Sequence, residues 1–221
     1  VKREAQMSLK LAFALMMVTA CIAAVPAAAQ SDSRQSAIQS NKRPHVVEYE
    51  KTLPPVGFVG FCARNPQDCG QGRQKPATLD LTPERWALLY QVNTFVNGKI
   101  APVSDQELFG EPEYWTYPTD AGDCEDYVLL KRRYLKSLGF AASALLITVV
   151  LDEAGGGHAV LLVETKDGDF VLDNRRNEIR LWSKINYTFL KRQSRRDPRM
   201  WVALTESKPE SGDFASGDTR R

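Results

Sequence analysis

TDAGDCEDYVLLKRRYLKSLGF, residues 119–140, sets one cysteine among three carboxylates where a helix should begin. Asp123 is a candidate N-cap, and Tyr127, Leu130, Tyr134 and Leu138 recur with the helical period to give a stripe that can be buried. Lys131, Arg132, Arg133 and Lys136 fall towards the C-terminal half, where cations suit the helix dipole, and Gly139 can close the helix. Cys124 therefore sits in the first turn, near the edge of the buried face. The unpaired N–H groups of that turn favour a thiolate. Asp123, Glu125 and Asp126 oppose it, because nearby negative charge raises a thiol's pKa. Either the cysteine is inert packing, or something cancels those charges.

Beyond Phe140 the period changes. ALLITVVL (144–151) is a β-branched, apolar run of strand length, GGG (155–157) breaks the chain, and HAVLLVET (158–165) reads as a second strand with His158 at its mouth. KDGD (166–169) carries an Asp-Gly turn signal, and FVLDN (170–174) makes a third strand. A cysteine-bearing helix packed on an antiparallel sheet is an α+β arrangement.

Upstream, LTPERWALLYQVNTFVNGKI (81–100) predicts a helix with Thr82 as N-cap, Pro83 at its first position, Trp86, Leu89 and Val96 on one face, and Asn97-Gly98 at its end. Residues 101–122, with three prolines and two glycines, read as a long surface connection. Residues 1–29 read as a signal peptide: MSLK from Met7 gives a basic start, an apolar run follows, and Ala27-Ala28-Ala29 makes a small-residue cleavage site. A competing reading takes VTAC (18–21) as a lipoprotein box, with Cys21 the anchored residue. The expected organisation is then an irregular arm over 30–78, a catalytic domain over 79–204 and a disordered tail over 205–221. A net charge of +2 on 221 residues makes no case for nucleic acid, and the basic run KRQSRRDPR (191–199), with no aromatics interleaved, reads as a solvated hairpin.

Export changes the meaning of the four cysteines. Cys62 and Cys69 bracket a short polar loop that suits a disulfide in an oxidising compartment. Cys124 is left over, and an unpaired cysteine in an exported protein is a flag for chemistry. Of the two histidines, His45 lies in the polar arm. His158 alone is more often structural, and Asp173 before an asparagine is a common turn former. Their order adds weight to a different reading. Cys124 attacks an acyl carbon, His158 carries the proton, and Asp173 orients His158. The Cys124 N–H is the expected oxyanion donor.

Tyr114-Trp115 with GDCEDY (122–127), then GGHAVLLV (156–163), then FVLDN resemble the bacterial transglutaminase-like cysteine proteinases over roughly Thr82 to Leu204. The resemblance implies a papain/transglutaminase-like fold and the triad Cys124, His158 and Asp173. It further implies a calcium site on the acids flanking the cysteine: Asp123, Glu125 and, as a further candidate, Asp126. It also implies a periplasmic setting, a protein or peptide substrate such as a surface adhesin, and a membrane-bound regulator. Calcium prefers carboxylate oxygens and would cancel the charge that suppresses the thiolate. The alternative is that Asp123 only caps the helix and Glu125 and Asp126 only complement its dipole. The expected activity is hydrolysis of peptide or amide bonds through a thioester. Peptidoglycan stem-peptide cleavage, amine transfer and a non-catalytic binding module are the competing readings.

Overall fold

The computed structural model of the chain describes residues 44–70 and 72–205. The signal-peptide and Cys21 readings, the first part of the arm, and the tail beyond Thr205 lie outside the described residues. No helix among the described residues is long and apolar enough to cross a membrane.

Along the chain come β1 (Lys51–Thr52), α1 (Val56–Arg64), α2 (Pro83–Lys99), β2 (Ala101–Pro102), α3 (Asp105–Phe109), β3 (Ala121–Gly122) and α4 (Cys124–Ser137). Then follow β4 (Leu145–Leu151), β5 (Gly157–Thr165), β6 (Gly168–Asp173), β7 (Arg176–Leu181), β8 (Thr188–Gln193) and β9 (Trp201–Ala203). Seven strands form one antiparallel sheet in the order β1-β9-β8-β4-β5-β6-β7, and β2 and β3 make a short parallel pair. This is an α+β fold, with the cysteine-bearing α4 packed against β5, an interior strand of the sheet.

Alternation along the strands builds two cores. Leu145, Ile147, Ala159, Leu161, Val163 and Leu172 pack with the helices, while Leu146, Val150, Val160, Leu162 and Val171 pack on the other face with Tyr187, Phe189 and Val202. Burial on both faces explains why β4 and β5 read as nearly continuous apolar runs. The hairpin expected over 191–199 is the β8–β9 turn.

Helix α2 starts as predicted: Thr82 Oγ1 accepts a hydrogen bond from the Arg85 N–H at 3.3 Å, with Pro83 at its first position. It runs on to Lys99 because Asn97 is held as a helical residue, its Nδ2 donating to the Asp173 carbonyl at 3.0 Å and the Arg176 carbonyl at 3.1 Å. In α4, Tyr127 and Leu130 are buried as the stripe requires, but Leu138 is exposed. Lys131 and Arg132 are buried rather than solvated. Arg132 offsets this by donating from Nε to the Leu145 carbonyl at 2.9 Å.

The irregular arm expected over 30–78 does not hold for its second half. Phe58 and Phe61, at helical spacing in VGFVGF, bury one side of α1 and meet Trp115 and Tyr117 edge-on, with ring centroids 6.0 and 5.2 Å apart. Phe58 also stacks edge-on against Trp201 at 5.3 Å. Before α1, β1 pairs with β9, and the Val46 N–H and His45 Nδ1 both engage the buried Asp169 carboxylate. A disulfide joins Cys62, in the last turn of α1, to Cys69 in the loop that follows. The apolar run of α1 is short, carries two glycines and follows Pro54-Pro55, so its composition reads as irregular chain although Phe58 and Phe61 keep a helical spacing.

Candidate active site and metal cluster

Three chain segments meet at the N-terminus of α4. The first is the helix start itself. Asp123 occupies the cap position with extended backbone, yet its side chain makes no capping bond; Asp123 Oδ2 instead accepts the Asp105 N–H at 3.2 Å. A purely capping role for Asp123 is therefore not what the side chain performs. Cys124 follows, half-buried, with Sγ donating to Glu125 Oε2 at 2.9 Å. The Ala159 N–H on β5 also points at the sulfur. Burial pushes the Cys124 thiol well up, Glu125 adds to the effect, and the Ala159 N–H only partly offsets it. As it stands the sulfur is a thiol.

The second segment is β5 with β6. Gly157 opens β5, His158 follows, and β6 ends at Asp173, so the histidine and the acid come from the same end of adjacent strands. His158 Nε2 lies 3.0 Å from Asp173 Oδ1, with both side chains fully buried. Oδ1 also accepts the Arg175 N–H at 3.0 Å; Oδ2 accepts the Tyr187 hydroxyl at 2.8 Å and lies 3.3 Å from Arg176 Nε. Burial alone would push the Asp173 carboxyl up. The bonds from His158, the Arg175 N–H and Tyr187, with the His158 charge, outweigh it and hold the group at about 2. An ionised carboxylate only accepts, so the proton between the two residues sits on Nε2, and in the neutral form of the ring it is Nδ1 that carries the lone pair. The structure thus brings His158 and Asp173 together. It places Cys124 beside Ala159, the next residue along β5, hydrogen-bonded to Glu125 and not to His158.

The third segment is the connection over 101–122, which is not a loose surface loop. Ser104 caps the short α3, whose first residue, Asp105, is buried. Asp105 Oδ2 accepts the Tyr114 N–H, and Asp126 Oδ1 accepts the Thr116 N–H at 2.7 Å. Trp115 between them is buried, pressed on Gly57 of α1, with its Nε1 donating to Glu113 at 2.9 Å. Each of Asp105, Asp123 and Asp126 thus spends one oxygen on a backbone N–H. The other oxygens, Asp105 Oδ1, Asp123 Oδ1 and Asp126 Oδ2, are buried with no partner. One oxygen of each acid falls within 4.8 Å of the other two. Burial, with Asp123 and Asp105 nearby, raises Asp126 to about 8; burial, with Asp123, raises Glu125 to about 9; burial also raises Asp105.

Of the acids singled out in the sequence, Asp123 and Asp126 enter this cluster, whereas Glu125 turns to the thiol. Asp105 was missed. It reads as an ordinary first-turn acid in SDQE, and only the chain path back from Tyr114 brings it to the helix start. Tyr187, Arg176 and Asn97 were missed too, because single residues in β7, in α2 and after β7 carry no spacing signal towards Asp173.

The sequence model of the bacterial transglutaminase-like cysteine proteinases (BTLCP) matches residues 48–209. No curated protein matches the sequence. Among solved structures, Legionella pneumophila LapG is similar with 24% identity and a TM-score of 0.43, over 48% of this chain and 62% of that one. EGTA-treated LapG aligns with 24% identity and a TM-score of 0.46, over 56% of this chain and 69% of that one. Calcium-bound LapG gives 21% identity and 0.46, over 58% and 75%. The first of these alignments spans less than two thirds of the LapG chain.

Proposed function

We propose that this chain, which belongs to the bacterial transglutaminase-like cysteine proteinases, is a calcium-dependent cysteine peptidase whose nucleophile, base and orienting acid are Cys124, His158 and Asp173. The observation that carries the reading is the buried His158–Asp173 pair at 3.0 Å, poised one residue from the Ala159 N–H that faces Cys124. With Nε2 committed to Asp173, Nδ1 is the basic nitrogen. The thiol leaves Glu125 and gives its proton to Nδ1. The sulfur then attacks the substrate carbonyl carbon, and the Cys124 N–H at the helix start receives the developing oxyanion. Imidazolium returns the proton to the departing amine as the C–N bond breaks, leaving a thioester. A water molecule, deprotonated by His158, attacks the thioester; the acid leaves and the thiol is restored. Family membership supports a protein as the substrate.

The acid cluster fits a hard cation. Asp105, Asp123 and Asp126 would hold calcium through the three buried oxygens that otherwise lack partners. When bound it would neutralise charge beside the nucleophile and pin the first turn of α4. Without it, the same burial holds protons on Asp126 and Glu125.

The test is labelling by a thiol-directed acyl probe together with cleavage of unfolded protein substrates, in calcium and in EGTA. Labelling and cleavage should need calcium, disappear in Cys124→Ala and fall steeply in His158→Gln. Undiminished labelling in His158→Gln, or activity indifferent to EGTA, would sink the corresponding half of the proposal.

A further inference from the structure

Asp173 is held by more than the histidine it faces. Arg176, at the start of β7, stands at a junction. Its Nε lies 3.3 Å from Asp173 Oδ2, and one terminal nitrogen reaches both the Tyr187 hydroxyl at 3.0 Å and Glu153 Oε1 at 3.2 Å. Tyr187 in turn donates to Asp173 Oδ2 at 2.8 Å. Its ring meets the His158 ring edge-on, with centroids 5.7 Å apart and planes at 85°. Glu153 belongs to the β4–β5 loop that leads into His158. A second bridge, Arg175 to Asp152 at 2.8 Å, fastens the same loop to the β6–β7 turn. One guanidinium and one phenol therefore touch the acid, the imidazole face and the loop before the histidine.

Resting on the peptidase reading above, we propose that Tyr187 and Arg176 are positioning residues. They lock the second oxygen of Asp173 so that its first oxygen keeps the His158 ring in one tautomer and one orientation, with Nδ1 available to Cys124. The physical reason is that a carboxylate with two free lone-pair directions can rotate and present either oxygen. A carboxylate whose Oδ2 is claimed by a phenol and a guanidinium cannot rotate without losing both. The aromatic edge of Tyr187 closes the remaining freedom of the imidazole. The charged and titratable groups around the pair are Arg175 from the β6–β7 turn, Arg176 from β7, Glu153 from the β4–β5 loop, Tyr187, and Lys131 from α4.

Tyr187→Phe removes one hydroxyl and keeps the ring against His158. Arg176→Gln removes the fork, and Arg176→Lys keeps its charge. The chain has only two histidines, so nitrogen-15 spectra of the imidazoles, with His45→Gln to assign them, report the His158 tautomer and titration directly. In the parent, the spectra should show the Nε2-protonated form alone. Tyr187→Phe and Arg176→Gln should show mixed tautomers and an upward shift of His158 titration, by about half a pH unit or more, because Asp173 loses donors that compete with the imidazole. Inactivation of Cys124 by iodoacetamide in calcium should slow by about tenfold or more at neutral pH, the scale of one hydrogen bond to a charged group, with its pH profile displaced in the same sense. Arg176→Lys should recover part of the rate but not the single tautomer. Variants that lose thermal stability yet keep the parent's tautomer, titration and inactivation profile would assign the pair a structural role only and overturn the proposal. The imidazole spectra do not depend on turnover, so an inactive parent would defeat the peptidase reading while leaving this proposal to be decided by the tautomer.

Discussion

The acid cluster makes the stability of the metal-free chain fall as the pH rises. Asp126, lifted from 3.8 to about 8, and Glu125, from 4.5 to about 9, hold protons in the folded chain that they release in the unfolded one. A carboxyl raised in this way costs nothing below its unfolded pKa. The cost grows as the pH climbs towards the folded value, by at most about 1.4 kcal/mol per pH unit for each group. Between pH 5 and pH 7 the two groups together remove up to about 5 kcal/mol, and relaxation of the loop over 101–122 should bring this to about 2–4 kcal/mol. That is a large share of the roughly 5–15 kcal/mol of a typical domain. The window is set by neighbours. Asp173, held at about 2, contributes stability that is present above its unfolded value of 3.8 and lost only as the pH falls from there towards 2. The Lys131 ammonium, pulled down to about 7 by burial, regains stability for the fold only above that pH. Urea unfolding in EGTA at pH 5, 6 and 7 reads the slope, and Asp126→Asn should roughly halve it. Calcium at a hundredfold over its apparent dissociation constant at pH 7 should add about 2.7 kcal/mol there, and the same calcium concentration should add less at pH 5, where protons compete more strongly for the acids. A metal-free stability that is flat or rises from pH 5 to pH 7 would mean that burial does not hold protons on Asp126 and Glu125.

Further outcomes follow from the same geometry. Alkylation of Cys124 in EGTA should be slow at pH 7 and rise only well above the pH at which a free thiol reacts, because burial and Glu125 hold the proton on the sulfur, and calcium should move the profile down; identical profiles would separate the metal from the thiol. Replacing Cys62 and Cys69 by serine should cost about 2.5 kcal/mol in urea unfolding for so short a loop, and an unchanged midpoint would show that the disulfide does not stabilise the fold. A Cβ at Gly57 would fall on the Trp115 ring. Gly57→Ala should therefore cost about 1–3 kcal/mol by overpacking and weaken the calcium response through Tyr114 and Thr116, which calorimetry with calcium would read. Lys131 Nζ is buried with no hydrogen-bond partner; Lys131→Met should thus be neutral or stabilising by about 1–3 kcal/mol at pH 7 in thermal unfolding.

Much of this was legible in the chain because local rules govern it. Thr82-Pro83 starts a helix, Asp167-Gly168 turns a hairpin, and apolar runs of strand length become strands, so the α4–β4–β5–β6 order could be read directly. His158 and Asp173 were readable because a hairpin register carries two strand ends to the same place. What escaped reading depends on the chain returning from a distance. The α1 helix is justified by Trp115 and Trp201, which lie far along the sequence. Asp105 becomes a potential ligand only because the Tyr114 N–H pulls it towards Asp126. The same is true of Lys131, whose place in the helix suits solvent but whose burial is imposed by packing between α4 and its neighbours.

The outer edge of the sheet joins its first strand to its last: Lys51 faces Val202, and Thr52 faces Trp201. Trp201 is fully buried and also carries the ring on which Phe58 rests. A ribosome therefore finishes part of the seat of α1 long after α1 itself has emerged: Trp115 and Tyr117 come first, and Trp201 completes the packing only with the last strand. Contacts so distant along the chain slow folding. The hairpins of β4 to β7 can pair as they emerge, so it is the β1 edge of the sheet that closes last.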